Sequence, residues 1–214
     1  AGDCRITREN CNKFMNLVSG ESKTPKILVI GGGEEGYGTE ELWRSQNCEI
    51  VSFDIYATDT TDVVCDAHYM SFKSNSFNGV WVQAVLEHVV EPSKVVSEIY
   101  RVLKTNGIVY AETPFMQQVH EGAYDFTRFT DSGHRHLFAD FTLLRSGYVS
   151  GIGTSLLWSV DHFFSGIFRN KLAGKLFKLM FFWLRFFDSL VPEKFNIDGA
   201  SGVYFFGSKN NHGF

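Results

Sequence analysis

Residues 26–36 read Lys-Ile-Leu-Val-Ile-Gly-Gly-Gly-Glu-Glu-Gly, an apolar run of strand length that stops at glycines. The run 26–30 predicts a buried strand, and the glycines after it predict a tight turn. Because glycines lack Cβ atoms, the backbone of such a turn can approach a ligand closely, and the next helix points its N-terminus at that ligand. The Gly-x-Gly-x-x-Gly spacing therefore predicts a binding turn, although glycine-rich turns without a ligand also occur.

Strands and helices alternate on both sides of this turn. Apolar runs bounded by turn residues predict strands at 26–30, 49–54, 62–65, 77–83, 108–113, 141–149 and 202–208. Apolar residues spaced along one helix face predict helices at 5–18, 39–45, 92–103 and 131–139, and an aromatic helical stretch at 155–190. This rhythm predicts a mostly parallel α/β sheet with helices on both faces.

Length, charge and cysteine content limit the class of protein. The 214 residues suffice for one ordinary domain and are few for two. A formal net charge of −4 gives no basic field, so we expect no nucleic-acid partner. The four cysteines lack metal-ligand spacing, and we expect free thiols in a reducing compartment. With no signal segment and no apolar run of about 18 residues, we expect a cytoplasmic protein.

A carboxylate ends the second predicted strand. At that position Asp54 can accept two hydrogen bonds from a ribose diol, in either a dinucleotide or an adenosine cofactor. NAD(H) and S-adenosyl-L-methionine are therefore both candidates at this point. In the alternative interpretation, Asp54 and Asp66 are carboxylates that cap turns or helices.

Later segments separate the two cofactor classes. Asp66-Ala67 follows the third strand, Leu86-Glu-His-Val89 follows the fourth, and Arg101-Val-Leu-Lys-Thr-Asn-Gly107 precedes the fifth. In order and spacing, residues 26–114 resemble the type 11 family of S-adenosylmethionine-dependent methyltransferases. The resemblance implies S-adenosyl-L-methionine as cofactor and a class I fold. That fold is Rossmann-like, with a mostly parallel seven-stranded sheet, an antiparallel last strand and, in this chain, a helical insertion before that strand.

The resemblance also implies where the cofactor binds. Asp54 would hold the ribose hydroxyls, Asp66 the adenine amino group, and Gln83 would lie beside the sulfonium. The full set of implied cofactor-binding residues is Gly31, Gly32, Gly33, Glu34, Asp54, Asp66, Ala67 and Gln83.

The glycine turn departs from the family pattern. The family usually has an acidic residue two positions before the first glycine, where this chain has Val29. Glu34 or Glu35 is the candidate replacement for that carboxylate. The departure motivates an alternative function, a catalytically inactive binding protein that keeps the methyltransferase fold.

A polar-aromatic loop, His120-Glu-Gly-Ala-Tyr-Asp-Phe-Thr-Arg-Phe-Thr130, follows the fifth strand. Since ligands bind beyond the carboxyl ends of parallel strands, this loop should cover the transferred methyl. It resembles a loop of methyltransferases found with surface-polysaccharide enzymes, which implies O-methylation of a small or glycan-like acceptor. For a hydroxyl acceptor, His120 is the first candidate base and His88 the second.

The same loop supplies candidate acceptor-binding residues, namely Tyr124, Asp125 and Arg128. Asp125 and Arg128 could instead pair with each other and brace the loop. Nearby, His134 and His136 have no further metal ligands beside them in the sequence, so we expect exposed helix residues and no metal site.

The stretch 155–190 is too apolar to stay in water. Lys171, Lys175, Lys178 and Arg185 fall along one helical stripe, and aromatic and aliphatic residues fill the other faces. Three partners fit: the domain itself, a second copy in a homodimer, or an anionic membrane surface. We expect burial against protein. The resemblance implies one methyltransferase domain over residues 1–214, with segments 1–24 (helical), 25–114 (cofactor half), 115–153 (acceptor loop, helix and strand), 154–198 (insertion) and 199–214 (last strand and tail).

Overall fold

A computed structural model describes residues 5–22 and 24–210. In it, the strands and helices follow one another in the order that the sequence predicts. The thiol expected at Cys4 lies outside the described residues. The strands are β1 (Lys26–Ile30), β2 (Glu49–Asp54), β3 (Val63–Val64), β4 (Phe77–Gln83), β5 (Leu103–Pro114), β6 (Thr142–Ser150) and β7 (Gly202–Ser208). The helices are α1 (Arg5–Glu21), α2 (Glu40–Arg44), α3 (Pro92–Val102), α4 (Asp131–Leu137), α5 (Ile152–Ile167), α6 (Lys171–Met180), α7 (Phe187–Leu190) and α8 (Glu193–Asn196).

The seven strands form one sheet in the order β3-β2-β1-β4-β5-β7-β6. The first five strands pair in parallel, and β7 lies antiparallel between β5 and β6. This confirms the predicted fold class. The strands β2 and β3 are added on one side of β1, and β4 and β5 on the other, so the strand order reverses between β1 and β4. Ligands bind at such a switch point, beyond the carboxyl ends of the strands.

The fifth strand is longer than the sequence predicts. It begins at Leu103, directly after α3, whereas the sequence pattern predicts a start after Gly107. Leu103 pairs with Phe77, and the register then shifts before Gly79. Asn106 takes a positive φ of 62° within this irregular stretch, so the Asn-Gly pair bends the strand and does not end the helix.

Both faces of the sheet are buried, as a parallel sheet requires. One core cluster packs α3 against the face that carries Leu28 and Ile30. The other packs α1 against the opposite face, where Phe14 meets Trp81 with ring centroids 5.4 Å apart. Val29 belongs to this second cluster and is 5% exposed, so the position that is usually acidic is here part of the core.

Residues 152–199, the helical insertion, separate β6 from β7. The insertion consists of the helices α5 to α8 and a 3-10 helix at Phe182–Phe186. The sequence pattern predicts a single helical stretch over 155–190 instead. The helices α5 and α6 cross closely at Gly174, since a Cβ there would overlap Ser165 Oγ and the Asp161 carbonyl. Within the insertion, Asp188 of α7 holds the start of α5 by accepting the backbone N–H groups of Gly153 (2.7 Å) and Thr154 (3.2 Å).

The outer side of the insertion is exposed. Its large apolar side chains are not covered by other described residues of the chain. Of the three partners considered for this stretch, the domain itself therefore does not cover this side. We call this the insertion surface; its members are Phe163, Ile167, Phe168, Leu172, Leu176, Leu179, Met180, Trp183, Phe186 and Leu190. No helix among the described residues is long and apolar enough to span a membrane.

Candidate active site

The glycine turn follows β1 and contacts both β2 and the loop after β4. The N–H groups of Gly31 and Gly32 both donate to the Phe53 carbonyl at 3.0 Å. Gly31 has a φ of +71°, and a Cβ there would overlap Val85 Cγ2. The turn therefore needs glycine at this position for two reasons, the backbone conformation and the approach of the β4 loop.

The carboxylate of Asp54 lies at this turn. Its Oδ2 accepts the N–H of Gly33 at 3.1 Å, and its Oδ1 accepts the N–H of Tyr56 at 3.2 Å. A carboxylate offers about four acceptor positions, so each oxygen keeps one for a further donor. The site thus fits a ribose diol while Asp54 also orders the turn.

Asp66 and Ala67 stand where the sequence placed them, at the end of β3. The Oδ1 of Asp66 accepts the N–H of His68 at 2.8 Å and lies 2.6 Å from His68 Nδ1. The backbone hydrogen bond is the main reason that the pKa of Asp66 is lowered. The capping role is therefore realised, and the adenine contact stays a prediction.

A cavity of about 230 Å³ opens beyond the ends of β4 and β5. Gln83 lies on its wall, where its Oε1 accepts the Trp81 indole N–H at 3.3 Å. The next residue, Ala84, has a φ of +54°, a conformation that costs a non-glycine residue energy and clusters at functional sites. The cavity is also lined by Thr7, Tyr37, Glu87, Glu112, His120, Thr154 and Trp158, among others.

Glu112 also lines this cavity and was not predicted from the sequence. Its Oε2 accepts the hydroxyls of Thr7 at 2.9 Å and Tyr110 at 2.8 Å. Loss of hydration raises the pKa of Glu112 above its ordinary value. Thr7 comes from α1, a helix distant in sequence, so no local motif could have revealed this contact.

Glu87 is the second residue that sequence reasoning missed. Its side chain is 1% exposed, and neither carboxylate oxygen has a hydrogen-bond partner in the structure. Burial raises the pKa of Glu87 to about 8. A buried carboxyl group without any hydrogen-bond partner is costly in a folded protein, which makes Glu87 a candidate functional residue.

The two candidate bases, His88 and His120, come together beside Glu87. Their rings lie 5.0 Å apart, edge to face. The Nε2 of His88 is 3.6 Å from Glu87 Oε1, and its Nδ1 is 2.6 Å from the Tyr124 carbonyl. The structure thus unites three residues that are up to 33 positions apart in the sequence.

The acceptor loop is braced by a pair within it. Arg128 binds both carboxylate oxygens of Asp125 and donates its remaining N–H groups to the carbonyls of Gln117, Gln118 and Thr127. These hydrogen bonds hold the pKa of Asp125 well below its usual range. All five guanidinium N–H groups are used. The structure therefore favours the bracing alternative, and acceptor binding by this pair stays untested.

Of the residues that the sequence predicts for the site, Gln83 and His120 line this cavity, and the others do not. Glu34 and the side chain of Tyr124 are exposed. The expectation that His134 is an exposed helix residue is wrong, since it is 1% exposed and stacks on Phe129. His136 is exposed, as expected.

The strand order and the turn after β1 define a class I methyltransferase fold. Residues 28–111 match the family model described as a methyltransferase domain. That segment therefore matches a methyltransferase domain, and the match together with the fold assigns S-adenosyl-L-methionine as the cofactor. No curated protein sequence matches the chain.

Solved structures with this fold are named for different reactions. Geranyl diphosphate C-methyltransferase from Streptomyces coelicolor A3(2) has a TM-score of 0.58 and 14% identity, over 96% of this chain and 80% of that one. Phosphoethanolamine N-methyltransferase 2 from Haemonchus contortus has a TM-score of 0.54 and 17% identity, over 94% and 53%. The [4+2]-cyclase SpnF has a TM-score of 0.55 and 16% identity, over 93% and 80%. At these identities the likeness concerns the fold alone.

Proposed function

We propose that this domain transfers a methyl group to a hydroxyl of a small or glycan-like acceptor. The observation that carries the proposal is the shared cavity: Gln83 and Glu112 lie on its cofactor side, and Glu87 and His120 line it as well. S-adenosyl-L-methionine, when bound, supplies an electrophilic methyl group on its sulfonium. The protein's part is to hold the acceptor oxygen in line and to exclude water.

On the cofactor side, Glu112 takes the place of the carboxylate that is missing at Val29. In the sheet register Val29 lies beside Trp81, and Trp81 lies beside Tyr110. Glu112 is two residues further along β5 and so projects to the same face. Its partly buried carboxylate suits the ammonium group of the cofactor, whereas Glu34 and Glu35 are exposed.

On the acceptor side, Glu87, His88 and His120 hold the hydroxyl and promote loss of its proton. A hydroxyl must lose this proton as the new C–O bond forms, and a positioned base typically contributes 10²–10⁴-fold. Phosphate or nucleic-acid acceptors would need a basic lining, but the described residues around this cavity include no lysine or arginine.

The insertion surface suggests that the acceptor carries a lipid. The helix α5 contributes Thr154 and Trp158 to the cavity wall, and the same helix carries Phe163 and Ile167 on the exposed side. A lipid anchor held at this surface would place an attached saccharide close to the cavity.

Charge favours an anionic membrane over a second copy as the partner of this surface. Residues 162–187 include five basic residues and no acidic one, although the whole chain has a net charge of −4. Only Lys178 has an acidic partner here, Asp161 at 3.2 Å. A symmetric dimer would bring like charges together, whereas anionic headgroups would attract them.

The test is transfer of labelled methyl from S-adenosyl-L-methionine to a panel of saccharides and lipid-linked saccharides. We expect a methyl ether product, and we expect His120→Ala to lower turnover at least 10-fold while the Kd for S-adenosylhomocysteine stays within about 2-fold. His136→Ala, at an exposed position outside the site, should match the wild type. Cofactor binding with no transfer to any acceptor would instead support the inactive binding protein.

A further inference from the structure

The cluster of Glu87, His88 and His120 has the composition of a metal site. One carboxylate oxygen and one ring nitrogen from each histidine lie within 4.8 Å of one another. Two histidines and one carboxylate are a recurrent ligand set for divalent transition metals at catalytic sites. A metal site was not expected from the sequence, because the ligands come from two loops that only the fold brings together.

The distance between the Glu87 and His88 side chains suits two ligands of one metal ion better than it suits a hydrogen bond. The gap of 3.6 Å between Glu87 Oε1 and His88 Nε2 is too long for a hydrogen bond. Two ligands of one tetrahedral Zn²⁺ ion lie about 3.4 Å apart, given metal–ligand bonds of about 2.1 Å. Since all three ligand atoms lie within 4.8 Å of one another, a shift of at most about 1.4 Å in the exposed residue His120 completes the set.

The hydrogen bonds orient the lone pairs toward the centre of the cluster. The Nδ1–H of His88 donates to the Tyr124 carbonyl, so its Nε2 carries the lone pair that faces Glu87. Acceptors also flank Nδ1 of His120, at 3.4 Å from both the Gln118 carbonyl and Asp125 Oδ2. Metal-binding histidines are fixed in this way, with the other ring N–H bound to a carbonyl or a carboxylate.

Glu87 supplies the independent evidence for a cation. Its carboxylate is buried, has no hydrogen-bond partner and faces the cluster. The nearby cation Arg128 has no N–H group left to donate to Glu87, because all five are taken by Asp125 and backbone carbonyls. Buried polar groups normally have a partner, and a bound cation would supply one for this carboxylate.

We propose that Glu87, His88 and His120 bind one divalent transition-metal ion, of which Zn²⁺ is the best match, with an open coordination position toward the cavity. This deepens the proposed function: the ion would bind the acceptor oxygen and favour its deprotonated form, and the proton would leave to solvent. Only that role rests on the proposed O-methylation, since metal binding requires neither cofactor nor acceptor.

The experiment measures binding of Co²⁺ alone and Zn²⁺ alone to protein purified without a histidine tag and treated with a chelator. We expect one equivalent of Co²⁺, seen by its visible absorption and displaced by Zn²⁺. Glu87→Gln and His120→Gln should each weaken binding at least about 100-fold, and His136→Gln should not. Thermal melts of all variants show whether they are folded.

A folded wild type that binds no Co²⁺ overturns the proposal. So does a Glu87→Gln or His120→Gln variant that binds Co²⁺ as tightly as the wild type does. Methyl transfer that continues at the full rate in metal-free protein would remove the catalytic role while leaving the binding result and the proposed function intact.

Discussion

Replacing Asp54 by alanine should separate cofactor affinity from stability. The carboxylate accepts two backbone N–H groups of its own turn, from Gly33 and Tyr56, and has two acceptor positions left for a ribose. Loss of two charge-assisted hydrogen bonds to the cofactor costs about 2–4 kcal/mol, which is roughly 30- to 1000-fold in Kd. The two lost turn contacts are partly exposed, and they should cost only about 1 kcal/mol of stability.

A second carboxylate near the same turn provides the matched control. Asp62 accepts the N–H of Ser52 at 2.8 Å, and Ser52 is fully buried. Asp62→Ala leaves that buried N–H unpaired, so it should lower the free energy of unfolding by about 1–3 kcal/mol. The effect of Asp62→Ala on cofactor affinity should be small, because Asp62 contacts Ser52 within β2, whereas Asp54 contacts Gly33 in the glycine turn.

Calorimetric titration with S-adenosylhomocysteine, together with urea unfolding, measures both quantities for each variant. We expect a large loss of affinity with a small loss of stability for Asp54→Ala, and the reverse for Asp62→Ala. An unchanged Kd in Asp54→Ala would refute the assignment of the ribose site. Equal losses of affinity in both variants would show that the order of the loop, and not a direct contact, determines binding.

Two further predictions concern acid stability and membrane binding. Burial lowers the pKa of His134 to about 3 in the folded protein, whereas the unfolded chain has the ordinary value of about 6.5. Between these two pH values the unfolded state binds the extra proton. The free energy of unfolding therefore falls by up to about 1.4 kcal/mol per pH unit from about pH 6.5 toward pH 3. Between pH 7 and pH 5, the free energy of unfolding of His134→Phe, measured with urea, should therefore fall by about 2 kcal/mol less than that of the wild type. An equal fall in both proteins would contradict this prediction. Vesicles with anionic phospholipid should co-sediment with the wild type and with Leu144→Glu, a control on β6, but less with Leu176→Glu or Lys175→Glu. Concentration-dependent dimers that bind no vesicles would favour a second copy as the partner.

The sequence by itself determined the fold class and the cofactor side of the site. Local patterns carry both, since an apolar run that ends in glycines must form a strand and turn, and a carboxylate at a strand end faces the same sheet edge. Asp54 and Gln83 therefore lie at the ends of β2 and β4, as the pattern indicated. The bend at Asn106 was missed because the same Asn-Gly pair can end a helix or bend a strand.

Only the tertiary structure decided the acceptor side and the partners of its charged groups. Glu87 looks like an ordinary loop residue in the sequence, and its significance comes from the burial of both oxygens without partners. Thr7 and Glu112 are 105 residues apart, and His134 is buried because α4 turns it onto Phe129 and Phe138. Burial and long-range contacts set these properties, and neither is encoded in a local pattern, because they depend on which elements pack together.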